Sequence, residues 1–164
     1  MGQRSMLTIS AASVLFGSVL PVGNAAGQSA KDVVGTYTLM AVSNVKDGKK
    51  TEMYGPNPKG MMRLENNGRY VVVLSRPDLP KFASNDRNAG TLEEYKAISL
   101  GSFFHLGTYT VADGHIIFRL EHVSFPNWNG QEQKRKLTIT GDELKYEVVS
   151  TLGGTSTLVW NRVQ

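Results

Sequence analysis

The sequence predicts an all-β domain: eight short strands in an up-and-down antiparallel barrel, with one short helix inserted between strands three and four and a signal peptide in front. Two observations lead there. Segments rich in β-branched and aromatic residues alternate apolar with polar side chains, the period of a strand with one buried face. Between them stand Asn66-Asn67-Gly68, Asp113-Gly114, Gly141-Asp142 and Gly153-Gly154, residues that tolerate the positive φ of tight hairpins. Closing such a meander into a ring removes the edge strands that invite aggregation.

Residues 1–26 read as the signal peptide. Arg4 supplies a positive start, and Met6 to Val22 is apolar and small. Pro21 and Gly23 break any helix near its end, and Gly23-Asn24-Ala25-Ala26 offers small residues for cleavage after Ala25 or Ala26. The stretch is too Ser-rich to serve as a permanent anchor. The expected location is periplasmic or secreted, with no stable membrane anchor after cleavage. Residues 27–164 form the barrel domain, and no long apolar run remains within them.

Strand one runs from Gly35 to Val42, with Tyr37, Leu39 and Ala41 on one side. A polar stretch follows, Ser43 to Lys59, containing Asp47-Gly48 and Gly55-Pro56-Asn57-Pro58. Strand two is Gly60 to Glu65, and strand three Arg69 to Ser75. Residues 76–104 interrupt the meander. There, Thr91-Leu92-Glu93-Glu94 fits a capping box, and Leu92, Tyr95, Ile98 and Ser99 share one helical face. Such an insertion is either a lid over a binding site or a plug for one barrel end. Strand four is His105 to Ala112 and strand five His115 to His122. A loop with Phe125-Pro126-Asn127-Trp128 leads to strand six, Gln133 to Thr140. Strand seven is Glu143 to Val149 and strand eight Thr155 to Arg162.

Composition narrows the chemistry. The 164 residues include no cysteine, which excludes disulfides, thiol nucleophiles and Cys-held zinc or iron–sulfur centres. Three histidines would all be needed for a His-only zinc site, and His115 and His122 fall on opposite faces of their strand. No metal and no cofactor is expected. The formal net charge is +4, or +3 without Arg4, the one charged residue of the first 26. The longest basic run, Lys134-Arg135-Lys136, alternates inside a strand and lacks the footprint of a nucleic-acid face.

Taken together, these residues resemble the lipocalin-like domain family over about residues 33–162. The resemblance is carried by Gly35-Thr36-Tyr37, Tyr54-Gly55-Pro56-Asn57-Pro58-Lys59-Gly60-Met61, Gly68-Arg69-Tyr70, Arg76-Pro77-Asp78, Asn85-Asp86-Arg87, Gly107-Thr108-Tyr109, Phe125-Pro126-Asn127-Trp128, Gly141-Asp142-Glu143-Leu144 and Trp160-Asn161-Arg162. It implies a lipocalin-like β-barrel and no particular reaction: some lipocalin-like proteins act as isomerases or cyclases, and others carry hydrophobic ligands. Many lipocalins place Trp in a Gly-x-Trp motif on strand one, whereas this chain has Tyr37. The family's Arg near the last strand, here Arg162, would stack on that ring and seal the barrel base.

An eight-stranded barrel either fills with side chains or holds one small ligand. Alternation directs Phe118, His122, Arg135, Tyr146 and Tyr109 inward, with His105 and Arg76 toward a rim and Trp128 over a mouth. A buried arginine is expensive unless it is paired or faces a ligand. The expected ligand-binding set is therefore Arg76, His105, Tyr109, Phe118, His122, Trp128, Arg135 and Tyr146. The expected partner is a small hydrophobic molecule. If the protein is instead a cofactor-independent isomerase or cyclase, His122 and Tyr109 are the candidates for proton transfer. A barrel packed solid by Tyr146, Trp160, Phe118 and Met62 would point to a third role, a protein-interaction module.

Overall fold

The computed structural model describes residues 29–151 and 153–164; the expected signal peptide, 1–26, lies outside them. The elements run α1 (Ala30–Val33), β1 (Gly35–Lys46), β2 (Lys49–Glu52), β3 (Lys59–Leu64), β4 (Arg69–Ser75), α2 (Leu92–Gly101), β5 (Ser102–Ala112), β6 (His115–Val123), β7 (Glu132–Thr140), β8 (Glu143–Val149) and β9 (Thr155–Arg162). Every strand pairing is antiparallel, and β1 pairs with β9, so β1 and β3 to β9 close an eight-stranded barrel. The expected fold holds, with the helix between β4 and β5.

One strand is additional. Lys49–Glu52 folds back on the far end of β1, pairing Lys46 with Lys49 and Ser43 with Glu52, and stays outside the ring. Its four residues are all exposed, so no apolar alternation marks them. The turn does: Asp47 (φ 50°) and Gly48 (φ 74°) take the paired positive φ of a two-residue hairpin.

Alternation fails at two places, for one reason. In β1 the register with β9 slips between Leu39 and Ala41. Met40 and Ala41 both face outward, and Val42 turns inward where Ala41 was expected. In β6 the register with β5 slips opposite Leu106 and Gly107. There Glu121 is the extra residue, Glu121 and His122 both point outward, and Val123 takes the inward place. A bulge adds one residue to one strand and reverses the phase of everything beyond it. The expectation that His122 lies in the interior is thus corrected: it is exposed, and the inward histidine is His105, the partner of Val123 in the β5–β6 ladder.

The two barrel ends differ. At the base, α1 tucks Val33 beneath the barrel, and the Tyr37 hydroxyl donates to the Val33 carbonyl (2.8 Å). Arg162 stacks 4.8 Å from the Tyr37 ring centroid, donating to Asp32 O at 2.7 Å and also to Val34 O. The expected stack at the base is therefore present. Above it, Met62, Phe118, Tyr146 and Trp160 are fully buried and fill the lower half of the barrel.

Helix α2 starts on the expected capping box: Thr91 Oγ1 accepts from Glu94 N (3.2 Å), and Glu94 Oε2 accepts from Thr91 N (2.7 Å). The second Glu94 oxygen ties in the preceding loop through Ala83 N (2.8 Å).

Candidate functional site

The upper half of the barrel is not filled. Val42 from β1, Leu74 from β4, Phe103 and His105 from β5, Arg135 from β7 and Leu158 from β9 surround a cavity of about 120 Å³. It opens at the rim, where Val149 and Thr151 are exposed. Each lining residue is inward because its strand alternates from a fixed register. The Glu121 bulge sets the phase that seats Val123 opposite His105.

Arg135 is the floor. It is 2% exposed, and its guanidinium lies 4.8 Å from the Phe118 ring centroid and 5.0 Å from that of Tyr146. Nη2 donates to Gln133 Oε1 (2.8 Å), and Nε has no acceptor. Among the described residues, no carboxylate forms an ion pair with it. The Tyr146 hydroxyl and Trp160 Nε1 below it are likewise buried without a hydrogen-bond partner. Burial pushes the Tyr146 phenol up, and the Arg135 charge opposes that push.

His105 stands beside this arginine. Its Nδ1 lies 2.8 Å from the Tyr70 hydroxyl, and its ring meets Tyr70, Phe103 and Phe118 at centroid distances of 5.2, 5.7 and 5.5 Å. Burial, and then the Arg135 charge, hold the His105 pKa well below the usual histidine value of 6.5. The imidazole is therefore neutral at physiological pH, and burial pushes the Tyr70 phenol up, so that it too is neutral. The unfolded chain takes up a proton near pH 6.5 that folded His105 refuses. Stability is thus complete above that pH and falls as pH drops below it, by up to about 1.4 kcal/mol per unit. Urea titrations between pH 7 and 5 should show this slope in the native sequence. It should be reduced in His105→Gln.

Trp128 forms one lip of the mouth. The loop after β6 makes a single 3-10 turn, Pro126–Trp128, pinned by Asn129 Oδ1 accepting from Val123 N (2.9 Å). Trp128 packs edge-on against Phe103 (5.7 Å) and Phe125 (5.6 Å). Met53 and Tyr54, from the loop after β2, form another part of the lining. Of the long insertion only Phe103 reaches the cavity. Helix α2 borders a separate groove with Thr51, Glu52 and Met53.

Three expected site residues, His105, Trp128 and Arg135, line the cavity, and Phe118 and Tyr146 support the arginine from below. Three do not come together with them. Tyr109 is buried toward the base, its hydroxyl donating to Glu65 O (2.9 Å). Arg76 is exposed in the groove beside α2, paired with Asp78 at 3.0 Å. His122 is on the outer surface. Met53 and Tyr54 were missed because they lie in the polar loop that follows the unpredicted β2. Ser156 was missed because a small polar residue carries no signal of its own; it lines the cavity and donates to Asn44 Oδ1 (3.3 Å). No cluster of His, Asp and Glu suited to a metal ion occurs among the described residues.

The chain forms a closed antiparallel barrel with a filled base and an apolar-walled cavity at the other end. The model of the lipocalin-like domain family matches residues 34–163, and the chain belongs to that family. No curated protein matches. Among solved structures, the chain is similar to a redesigned beta barrel (TM-score 0.45, 14% identity, covering 85% of this chain and 98% of that one). It is also similar to a de novo designed fluorescence-activating beta barrel (TM-score 0.43, 14% identity, 82% and 96%).

Proposed function

We propose that this protein binds a small, mostly hydrophobic molecule in the upper half of its barrel, and that it works outside the cytoplasm after loss of residues 1–26. The observation that carries the binding reading is Arg135: a buried cation with no acid partner at the floor of an apolar cavity. An unpaired buried charge costs several kcal/mol, and a chain that keeps one gains from what it meets there. The filled lower half supplies rigidity. The open upper half disfavours a role purely as a protein-interaction module.

The test is calorimetric titration with toluene, a neutral apolar molecule of one ring. Saturable one-to-one binding, lost in Val148→Trp, is the expected result. Absence of saturable binding to the native protein would remove this reading.

A second reading, cofactor-independent isomerisation or cyclisation, is favoured by one observation: a neutral histidine held by a tyrosine hydroxyl beside a fixed positive charge. In that case His105 takes the proton-transfer role expected of His122, with Arg135 stabilising developing negative charge. His105→Gln would then abolish turnover while leaving toluene binding intact.

A further inference from the structure

The binding reading leaves the ligand's chemistry open, and the cavity narrows it. Resting on that reading, we infer that the ligand is a monocarboxylic acid with an apolar body about the size of one ring, its carboxylate against Arg135.

Three observations converge. The first is charge. Arg135 is the one Lys or Arg among the lining residues, and there is no Asp or Glu to neutralise it. One buried positive charge is matched by one negative charge. A dianionic phosphate would bring a second, uncompensated charge into an apolar site, and a neutral alcohol would leave the arginine unpaired. The second is geometry. The guanidinium is fixed between the Phe118 and Tyr146 rings, with Nη2 tied to Gln133 and Nε lacking an acceptor. A planar donor array held in one orientation suits a planar carboxylate. The third is size. An apolar cavity of about 150 Å³ holds benzene, so a site of about 120 Å³ takes one ring or a short branched chain. Phe103 and Trp128 stand at its mouth with ring faces and edges available, and the rim is open to a short substituent.

His105 completes the site. A histidine that is neutral there does not compete with Arg135 for the anion, and its ring is oriented by Tyr70.

The experiment is calorimetric titration of the native protein at pH 7 with phenylacetate, 2-phenylethanol and 9-anthracenecarboxylate. The same titrations are then made on Arg135→Met and Arg135→Lys. Phenylacetate is expected to bind about 10- to 100-fold more tightly than 2-phenylethanol, the range of a hydrogen-bonded charge. That preference should vanish in Arg135→Met and survive in part in Arg135→Lys. Anthracenecarboxylate should not bind. Equal affinity for the acid and the alcohol in the native protein overturns the carboxylate assignment while leaving the binding reading standing. So does a preference that persists in a folded Arg135→Met. Tight binding of anthracenecarboxylate overturns the size assignment. Failure of all three probes, together with failure of toluene, overturns the binding reading itself. The native-protein comparison needs no variant to fold.

Discussion

Gly107→Ala is expected to abolish the native fold or to cost more than about 3 kcal/mol, a larger loss than most single substitutions cause. Gly107 faces inward at the β5–β6 bulge, and a Cβ there would lie 2.0 Å from the Arg119 carbonyl oxygen and 3.0 Å from Glu121 N. Both are backbone atoms of the neighbouring strand, so no rotamer change relieves the clash. The ladder has to open at that point, and the turn of phase that seats Val123 and His105 goes with it. Gly114→Ala is the control. Gly114 has φ 69° and nothing within 4 Å of its would-be Cβ, so it should lose only the left-handed conformational cost, about 1–2 kcal/mol. Urea unfolding of the two variants side by side separates close approach from backbone preference.

Trp160→Ala is expected to cost about 3–5 kcal/mol, the range for deleting a fully buried large aromatic. Trp160 is 0% exposed and lies 6.4 Å from the Tyr146 ring, which in turn carries Arg135. The substitution therefore removes the support of the cavity floor as well as core contacts. A lowered denaturation midpoint should be accompanied by a second effect: the new void adds room beneath Tyr146, and the variant should admit probes that the native protein excludes. Trp160→Phe removes less volume and discards an indole N–H that has no partner, so its cost should be smaller than that of Trp160→Ala.

The eight barrel strands, the tight hairpins and the capping box at Thr91 were legible in the sequence because each is written in local residue types, whereas the Arg162–Tyr37 stack was implied by the resemblance to lipocalin-like domains. Inward faces read from alternation hold for β7, β8 and β9, where it runs unbroken through Arg135, Tyr146 and Trp160, while in β4 the two faces were left open and Tyr70, Val72 and Leu74 take the inward one. Alternation failed beyond each bulge. Met40 and Glu121 have nothing in their identity to announce an extra residue, and the Glu121 bulge moves His122 from the expected interior to the outer surface. A signal was present all the same. A glycine inside a strand marks a bulge or a close backbone approach, and Gly107 sits opposite the slip. The β2 strand shows the reverse case: its Asp47-Gly48 turn was visible, while its exposed Lys49-Lys50-Thr51-Glu52 gave no periodicity to attach it to. The cavity was legible only as an unpaired inward arginine. Its size is set by how far the filled layers rise, a property of packing among strands distant in sequence.

The seam between β1 and β9 has a consequence for how the molecule comes into being. It joins the first long strand to the last, pairing Tyr37 with Arg162 and Val45 with Thr155. Contacts so far apart in sequence carry the largest loop-closure cost and form late. The cavity wall straddles that seam, with Val42 on one side and Ser156 and Leu158 on the other. A nascent chain therefore has hairpins but no site until its final strand has been made. Folding by sequential hairpins from β3 onward leaves ring closure as the step that encloses the cavity. The fold thus makes closure of the ring and formation of the cavity one event.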